Sequence, residues 1–285
     1  MSYKPGLYVV STPIGNLKDI TLRAIEVLQN STLILCEDTR RAFILLKKYD
    51  INYKKLIVYN DYSSSQTREC IRKFIMDGEV ISLITDAGTP LIADPGYKLV
   101  RFLQENNCYI DIIPGVSSII TALTISAMPT DKFMFCGFLP KTVIAKEKFL
   151  QSLYGSNFTL IFFESIKRLV SSLVAIAKIF GNVEICIARE LTKIYQEVQR
   201  STVKELIAYY SNKSVKGEIV LLVYPVSKKI DNIVKSLVEQ EIDKFIRQSF
   251  SVEDSVNLVF NQNKQYYTRS EIYKMAIKIK KNLVK

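Results

Sequence analysis

The chain holds no histidine in 285 residues. That absence removes the commonest general base at neutral pH, the Ser/His and Cys/His nucleophile systems, and most catalytic zinc sites. Any chemistry must use carboxylates, lysine, tyrosine or a cofactor that is already reactive. Paired cysteines are missing too. Cys36, Cys70, Cys108, Cys136 and Cys186 form no C-x-x-C and are odd in number. Four of them follow or sit within apolar strand-like runs, which predicts reduced core thiols rather than a disulfide frame or a metal site. No G-x-G-x-x-G follows the first strand and no G-x-x-x-x-G-K-[ST] occurs, so the dinucleotide and P-loop fingerprints both fail. A long hydrophobic run is also lacking. The longest uncharged stretch, Ile112 to Thr130, is broken by Pro114, Gly115 and Pro129 and diluted by Ser117, Ser118, Thr121, Thr124 and Ser126. It reads as a loop plus a buried helix, not a membrane span. The first apolar run, Leu7 to Val10, stops at Thr12-Pro13, too short for an export-signal core, so a cytoplasmic protein is expected.

What the chain does have is apolar surface and positive charge. Hydrophobic residues make up 48%, enough for two cores, and 24% charge is too little for a disordered chain. The net charge is +11. A basic surface attracts polyanions, of which nucleic acid is the commonest large one in a cytoplasm. The excess is concentrated: residues 264–285 carry Lys264, Arg269, Lys274, Lys278, Lys280, Lys281 and Lys285 against Glu271 alone.

Short β-branched runs alternate with longer amphipathic stretches. Residues 7–10, 32–36, 56–59, 80–84 and 109–113 read as strands, with helices near 20–29, 40–48, 65–77 and 97–106 between them. That alternation argues for a mostly parallel sheet covered on both faces. A second α/β unit has strands at 133–137, 158–163, 183–188 and 218–223 and a helix over 167–180. Pro225 to Lys229 reads as a linker, followed by helices near 231–248, 252–261 and 269–283, the last capped by Thr268 or Ser270. The expected organisation is an N-terminal α/β domain over 1–116, a C-terminal α/β domain over 117–226 and a basic three-helix tail over 227–285. The tail is similar to a small helix-turn-helix unit with a basic last helix, an RNA contact on one reading and a packing appendage on the other.

The richest segment for chemistry is Thr85 to Gly96, which follows a buried strand and precedes a helix. Loops at the carboxyl ends of parallel strands bind ligands because those ends converge on a crevice. There Ala87-Gly88 permits close backbone approach, and Asp86 can accept from a ligand amine or hydroxyl. Thr12-Pro13-Ile14-Gly15-Asn16 and Pro114-Gly115-Val116-Ser117-Ser118 occupy two equivalent strand ends and present backbone amides near a helix start. Glu37-Asp38-Thr39-Arg40 reads first as a helix cap, with Arg40 and Arg41 beside it. In the second unit Phe163-Glu164, Ala188-Arg189-Glu190-Leu191-Thr192-Lys193 and Lys216-Gly217-Glu218 put charge at strand ends, either as solvated rims or as the lining of one cleft.

Taken together, Thr12 to Leu17, Glu37 to Arg40, Asp86 to Pro90, Gly137-Phe138-Leu139-Pro140, Ala188 to Lys193 and Lys216-Gly217-Glu218 resemble the ribosomal RNA small subunit methyltransferase I family. That family falls in the tetrapyrrole-methylase-like class. The match runs from about Leu7 to Val223, and the tail resembles the family's C-terminal helical segment. The resemblance implies two α/β domains of the tetrapyrrole-methylase type and a homodimer. It implies S-adenosylmethionine bound in the cleft between the domains, and transfer of its methyl to the ribose 2′-oxygen of a cytidine in the decoding region of small-subunit RNA. Carried over by position, the cofactor residues are Pro13, Ile14, Gly15, Asp86, Ala87, Gly88, Thr89, Pro114, Gly115, Ser117, Ser118, Phe163, Glu164, Ala188, Arg189, Gly217 and Glu218. The chain departs from the family where histidine is common, at Asn60-Asp61-Tyr62 and at Lys167, and where Pro114-Gly115-Val116 replaces Pro-Gly-Pro.

The sulfonium methyl is already activated, so alignment of the 2′-oxygen supplies much of the rate. The hydroxyl must still lose a proton. With histidine absent, Lys193 beside Glu190 is the candidate base, its amine made neutral by burial; the alternative is a contact from Lys193 to RNA phosphate. Candidate RNA contacts are Arg40, Arg41, Lys274, Lys278 and Lys281, and no metal is expected. Two other readings compete: a sibling enzyme acting on a tetrapyrrole or another small substrate, and a non-catalytic RNA-binding protein.

Overall fold

The computed structural model describes residues 3–213, 215–225, 228–263 and 267–283. Val226 and Ser227 of the expected linker, and Lys264 and Lys285 of the basic tail, lie outside the described residues, as do the side chains of 228–234 and 282. The chain divides into two compact units, one of residues 1–127, 187–199 and 216–221, the other of residues 128–186, 200–215 and 222–285.

The first unit is built on β1 (Gly6–Val10), β2 (Leu33–Cys36), β3 (Lys55–Val58), β4 (Val80–Leu83) and β5 (Ile110–Ile113), in the order β3-β2-β4-β1-β5. Every neighbouring pair is parallel. The connecting helices are α1 (Leu22–Asn30), α2 (Thr39–Lys48), α3 (Ser65–Met76) and α4 (Tyr97–Glu105), with α5 (Ser118–Ile125) after β5. The period-two alternation of a strand explains the two layers. Tyr8, Val10, Ile34 and Cys36 face Ala24, Val27 and Leu28 of α1 and Ala42 and Leu46 of α2. Leu7, Val9, Leu33, Leu35, Ile81 and Leu83 face Ile71 and Ile75 of α3 and Leu99 and Leu103 of α4. Each such fully buried aliphatic side chain contributes about 1.5–3 kcal/mol, and both faces are spent in this way. Ser82, the polar intruder in β4, is satisfied by Ser31 at 2.6 Å.

The strand order fixes where a ligand crevice must open. From β1 the chain crosses to β2 on one side, whereas from β4 it crosses to β5 on the other, and β1 and β4 are neighbours. The loops leaving their carboxyl ends therefore lead to opposite faces of the sheet, α1 on one and α4 on the other, which is the switch point at which parallel α/β sheets bind ligands.

The remaining elements are β6 (Phe133–Phe138), α6 (Val143–Ser152), β7 (Thr159–Ser165), α7 (Leu169–Phe180), β8 (Glu184–Arg189), β9 (Glu197–Thr202), α8 (Val203–Ser211) and β10 (Glu218–Val223). A second five-stranded sheet runs β6-β7-β10-β8-β9. Strands β6 and β7 are parallel, with a register shift between Phe135 and Phe138 where Gly137 takes φ +68°. Three elements were not expected from sequence. Helix α6 inverts the usual pattern, exposing Val143 and Ile144 while burying Lys146, so its apolar period is weak. Strand β9, Glu-Val-Gln-Arg-Ser-Thr, is mostly polar and half-buried except at the exposed Arg200. Helix α8 carries a legible sign, the capping box of Thr202 and Glu205.

The last helices, α9 (Lys228–Arg247), α10 (Val252–Asn263) and α11 (Arg269–Leu283), enclose a core of Val238, Ile242, Val256, Val259, Ile272 and Ala276. Thr268 caps α11: its hydroxyl accepts from the Glu271 amide, and its own amide donates to the Glu271 carboxylate. No described helix is long and apolar enough to cross a membrane. All five thiols are free, but only Cys36 and Cys186 are core thiols; Cys70 is exposed and Cys108 and Cys136 are half-buried. The expectation of a core position fails for those three, Cys70 because α3 turns it outward.

Candidate active site

Three loops of the first unit are knitted together at the switch point. Thr12 and Gly88 exchange backbone hydrogen bonds of 2.8 and 3.0 Å as an isolated antiparallel bridge, and the Thr12 hydroxyl donates to the Thr85 carbonyl at 3.1 Å. Gly88 sits at φ +87°, a conformation that a side chain would strain. The Ser11 and Thr89 hydroxyls lie 3.1 Å apart, and Thr89 donates to the Val116 carbonyl at 3.3 Å. The loops after β1, β4 and β5 are thus tied to one another before any ligand binds, leaving a cleft floored by backbone.

That cleft, about 290 Å³, is lined by Thr12, Pro13, Ile14 and Gly15, by Thr85, Asp86 and Ala87, by Arg41, Ala42, Ile44 and Leu45 of α2, and by Lys193 and Glu218. Its size lies at the lower edge of the roughly 300–1,000 Å³ usual for small-molecule sites. Lys193 is its electrostatic centre. The ammonium donates to Glu190 Oε1 and to Glu218 Oε2, each at 2.9 Å. Glu190 Oε1 also accepts the Glu218 amide at 2.9 Å. Glu190 and Thr192 hold positive φ, at +49° and +65°, and the Thr192 hydroxyl accepts the Asn16 amide at 3.0 Å. Two glycines make room. A Cβ on Gly15 would stand 2.6 Å from Lys193 Cγ, and one on Gly217 would stand 2.5 Å from Glu190 Cγ.

Burial alone pulls the Lys193 amine down, but the hydrogen bonds and charges of Glu190 and Glu218 outweigh it and hold it above the ordinary lysine value. The neutral amine expected from sequence is therefore corrected: two carboxylates keep Lys193 an ammonium. Burial pushes Glu190 up, while the Glu218 amide and Lys193 bring it below the usual carboxylate range.

On the far wall, Asp38 caps α2 by accepting the Arg40 amide at 2.9 Å and also takes the Arg40 guanidinium, which holds its carboxyl down at about 2. Arg41 reaches Asp86 at 3.4 Å. Asp86 is raised by burial, against the pull of Arg41. Asp94, in the same loop, is raised to about 6 by burial, with Glu37 and Asp86 adding to the effect and the Thr85 hydroxyl opposing it.

The cleft thus gathers Pro13, Ile14, Gly15, Asp86, Ala87, Glu218, Lys193 and Arg41 from among the residues expected, while Gly88, Thr89 and Gly217 brace its walls. Gly115 lies behind it, where a Cβ would meet Ser11 Cβ at 2.9 Å, and Ser117 is the N-cap position of α5, with Ser118 its first residue. Ala188 is buried, and Arg189 is committed to Glu197 at 2.8 Å and to the Lys216 carbonyl at 2.9 Å. Arg40 is bound to Asp38 with its side chain 88% exposed. Phe163 and Glu164 belong to the second unit. Phe163 packs edge-on to Phe135 and Phe138, and the buried Glu164 carboxylate faces Arg168 at 2.5 Å and Ser172 at 2.5 Å. Ala42, Ile44 and Leu45 lie on the helix expected near 40–48 but carry no site role in the sequence reading, and Glu37 and Asp94 fall within motifs it singles out without a role of their own.

A model of the tetrapyrrole (corrin/porphyrin) methylases matches residues 6–207. The ribosomal RNA small subunit methyltransferase I of Rickettsia prowazekii is 50% identical over 280 residues, covering 98% of this chain and 99% of that protein. The chain belongs to this methyltransferase family. The namesake enzyme of Thermotoga maritima is 42% identical over 216 residues, which are 76% of this chain but 96% of that protein. Among solved structures, a cobalt precorrin-4 methyltransferase shares the fold at TM-score 0.59 and 16% identity, covering 76% of this chain and 93% of that one. A uroporphyrin-III C-methyltransferase of Thermus thermophilus, in complex with S-adenosyl homocysteine, superposes at TM-score 0.52 and 16% identity over 76% and 96% of the two chains. The family's methyl donor, S-adenosylmethionine, is the cofactor of this chain. The cleft suits such a donor in kind: backbone amides and carbonyls and the Asp86 carboxylate for its polar groups, Ile14, Ile44 and Leu45 for its apolar surface.

Proposed function

We propose that this chain methylates small-subunit (16S) ribosomal RNA, at the ribose 2′-oxygen of a cytidine in the decoding region. The observation that carries the reading is the pairing of a switch-point cleft with a fixed ammonium, Lys193, held between two carboxylates on its wall. The relatives' shared name supplies the substrate class.

S-adenosylmethionine, when bound, supplies a methyl on a positively charged sulfur, so the donor needs no further activation by the protein. The residues must then orient the acceptor and take its proton. A lysine ammonium has three hydrogens. Glu190 and Glu218 engage two of them, and the third is available to a phosphate or ribose oxygen of the RNA, fixing the nucleotide for in-line attack. For the 2′-oxygen to take the methyl, the donor's carbon–sulfur bond would break to leave a neutral thioether, and the hydroxyl would give up its proton. Glu218, whose side chain is 67% exposed, is the carboxylate placed to receive that proton and pass it to water. Lys193 serves as the positioning cation, not the base. The same reading carries a homodimer working in the cytoplasm; light scattering behind size exclusion should return twice the 32.6 kDa of the chain.

Isolated small subunits incubated with methyl-labelled S-adenosylmethionine should become labelled, and prior nuclease treatment should abolish the incorporation. Labelling that survives nuclease, or that goes to a tetrapyrrole acceptor instead, would overturn the assignment. Calorimetry showing no affinity for the cofactor would leave only an RNA-binding protein.

A further inference from the structure

We propose that α9, α10 and α11 form an RNA-docking module that tethers the substrate without taking part in methyl transfer, with the stripe Lys274, Lys278 and Lys281 as its contact face. The inference rests on ribosomal RNA being the substrate. It starts from how α11 divides its surface. Ile272 and Ala276 are fully buried in the three-helix core, so the apolar side of the helix is already used. Lys274, Lys278 and Lys281, at i, i+4 and i+7, are all exposed and fall on one line along the helix. At about 1.5 Å rise per residue they are spaced by roughly 6 and 4.5 Å, a scale that matches successive phosphates better than a single anion.

No ion pair among the described residues engages this stripe, although Lys274 lies near enough to Glu271 to act on its charge. Among the described residues no carboxylate lies within ion-pair distance of Lys274, Lys278, Lys280 or Lys281, whereas Arg247 is held by Asp243 at 2.7 Å and Arg269 by Glu253 at 3.1 Å. The only acid of α11, Glu271, is engaged at the N-terminus by the amide and hydroxyl of Thr268, both at 2.7 Å. Cations in a last helical turn also stabilise the helix dipole, and that accounts for Lys280 and Lys281. It does not account for Lys274 and Lys278, which lie earlier. A membrane-surface helix would need its apolar face free, and here that face is in the core. A polyanion is the occupant that remains.

The Thermotoga maritima relative carries the same name, yet 96% of it is matched by 216 residues of this chain. On this proposal the three helices contribute to substrate affinity.

The test is filter binding of isolated small subunits to the full-length triple variant Lys274→Ala, Lys278→Ala, Lys281→Ala. At about 150 mM salt its Kd should be weaker by about tenfold or more, and the slope of log Kd against log salt should be shallower by about two. Affinity for S-adenosylmethionine, which reports on folding, should match the native protein. The corresponding triple Arg variant should bind like the native chain. Unchanged Kd and slope in the Ala variant would overturn the proposal, and so would an equal loss in the Arg variant, which would point to packing instead of charge. Equal weakening on vesicles of anionic lipid, with subunit binding unchanged, would assign the face to a membrane. Because the readout is binding, it stays separate from the proposed activity: a native chain that binds subunits through the stripe yet transfers no methyl would sink the activity and leave the docking face standing.

Discussion

Two cation–carboxylate nodes sit at strand ends in this protein, and they differ in how they meet water. In the first unit, Lys193 and Glu218 line a cleft with side chains 30% and 67% exposed, and Glu190, 17% exposed, is paired to Lys193 beside it. In the second, the Glu164 carboxylate is fully buried and accepts from Arg168, from Ser172 and from the Ser165 amide at 2.7 Å, while the buried Lys146 ammonium donates to Ser171 at 3.0 Å and Ser172 at 2.8 Å. Each carboxylate oxygen of Glu164 has a donor, so the node is closed. The cleft node is open: it spends little on stability and keeps a cation ready for a ligand. On the proposed reading the same residue types serve ligand binding in one place and structure in the other, and access to solvent separates the two roles.

The contrast is sharpest at Lys193. Lys193→Met should lower kcat/KM by about 100-fold or more, as loss of a preorganised charge at a reacting centre does, and leave Tm nearly unchanged. Full turnover at saturating subunits would refute the role given to it. Glu164→Ala should do the reverse, removing about 1–3 kcal/mol of stability by leaving the buried Ser172 hydroxyl and the part-buried Arg168 guanidinium short of an acceptor, which urea unfolding will read. Gly217→Ala tests the cleft node from behind: the added methyl must displace Glu190, and steady-state kinetics should show roughly a tenfold loss, while Gly78→Ala, where nothing lies within 4 Å, should leave kinetics untouched.

The smallest effect concerns Asp94. Its folded pKa, about 6, lies above its unfolded value, so its contribution is favourable below the unfolded value and is lost as pH rises through about 6. Asp94→Asn should thus stabilise the protein at pH 8 by on the order of 1 kcal/mol after solvent screening, with the gain vanishing towards pH 4. A stability gap independent of pH would contradict the assignment of that shift.

Much of this was legible in the residues. The alternating runs of the first unit announce a parallel sheet, because Leu7 and Val9 face one helical layer while Tyr8 and Val10 face the other. The Thr12–Asn16 and Asp86–Gly88 loops could be placed at strand ends by their turn-formers alone. Less visible were elements whose pattern is inverted: α6 hides a lysine and exposes an isoleucine, and no periodicity rule anticipates that. The protonation of Lys193 was misread because Glu218, 25 residues further along the chain, adds a second carboxylate that only tertiary structure brings to the amine. Burial by itself lowers the amine pKa; Glu190 and Glu218 together raise it above the ordinary value.

The position that receives the methyl decides between the proposed reaction and any other. Small subunits methylated by the native chain with labelled donor should be digested to nucleosides and separated by mass spectrometry. The label should appear in a single species, cytidine carrying the labelled methyl on its ribose. Label on the base, or spread over several nucleosides, would contradict it.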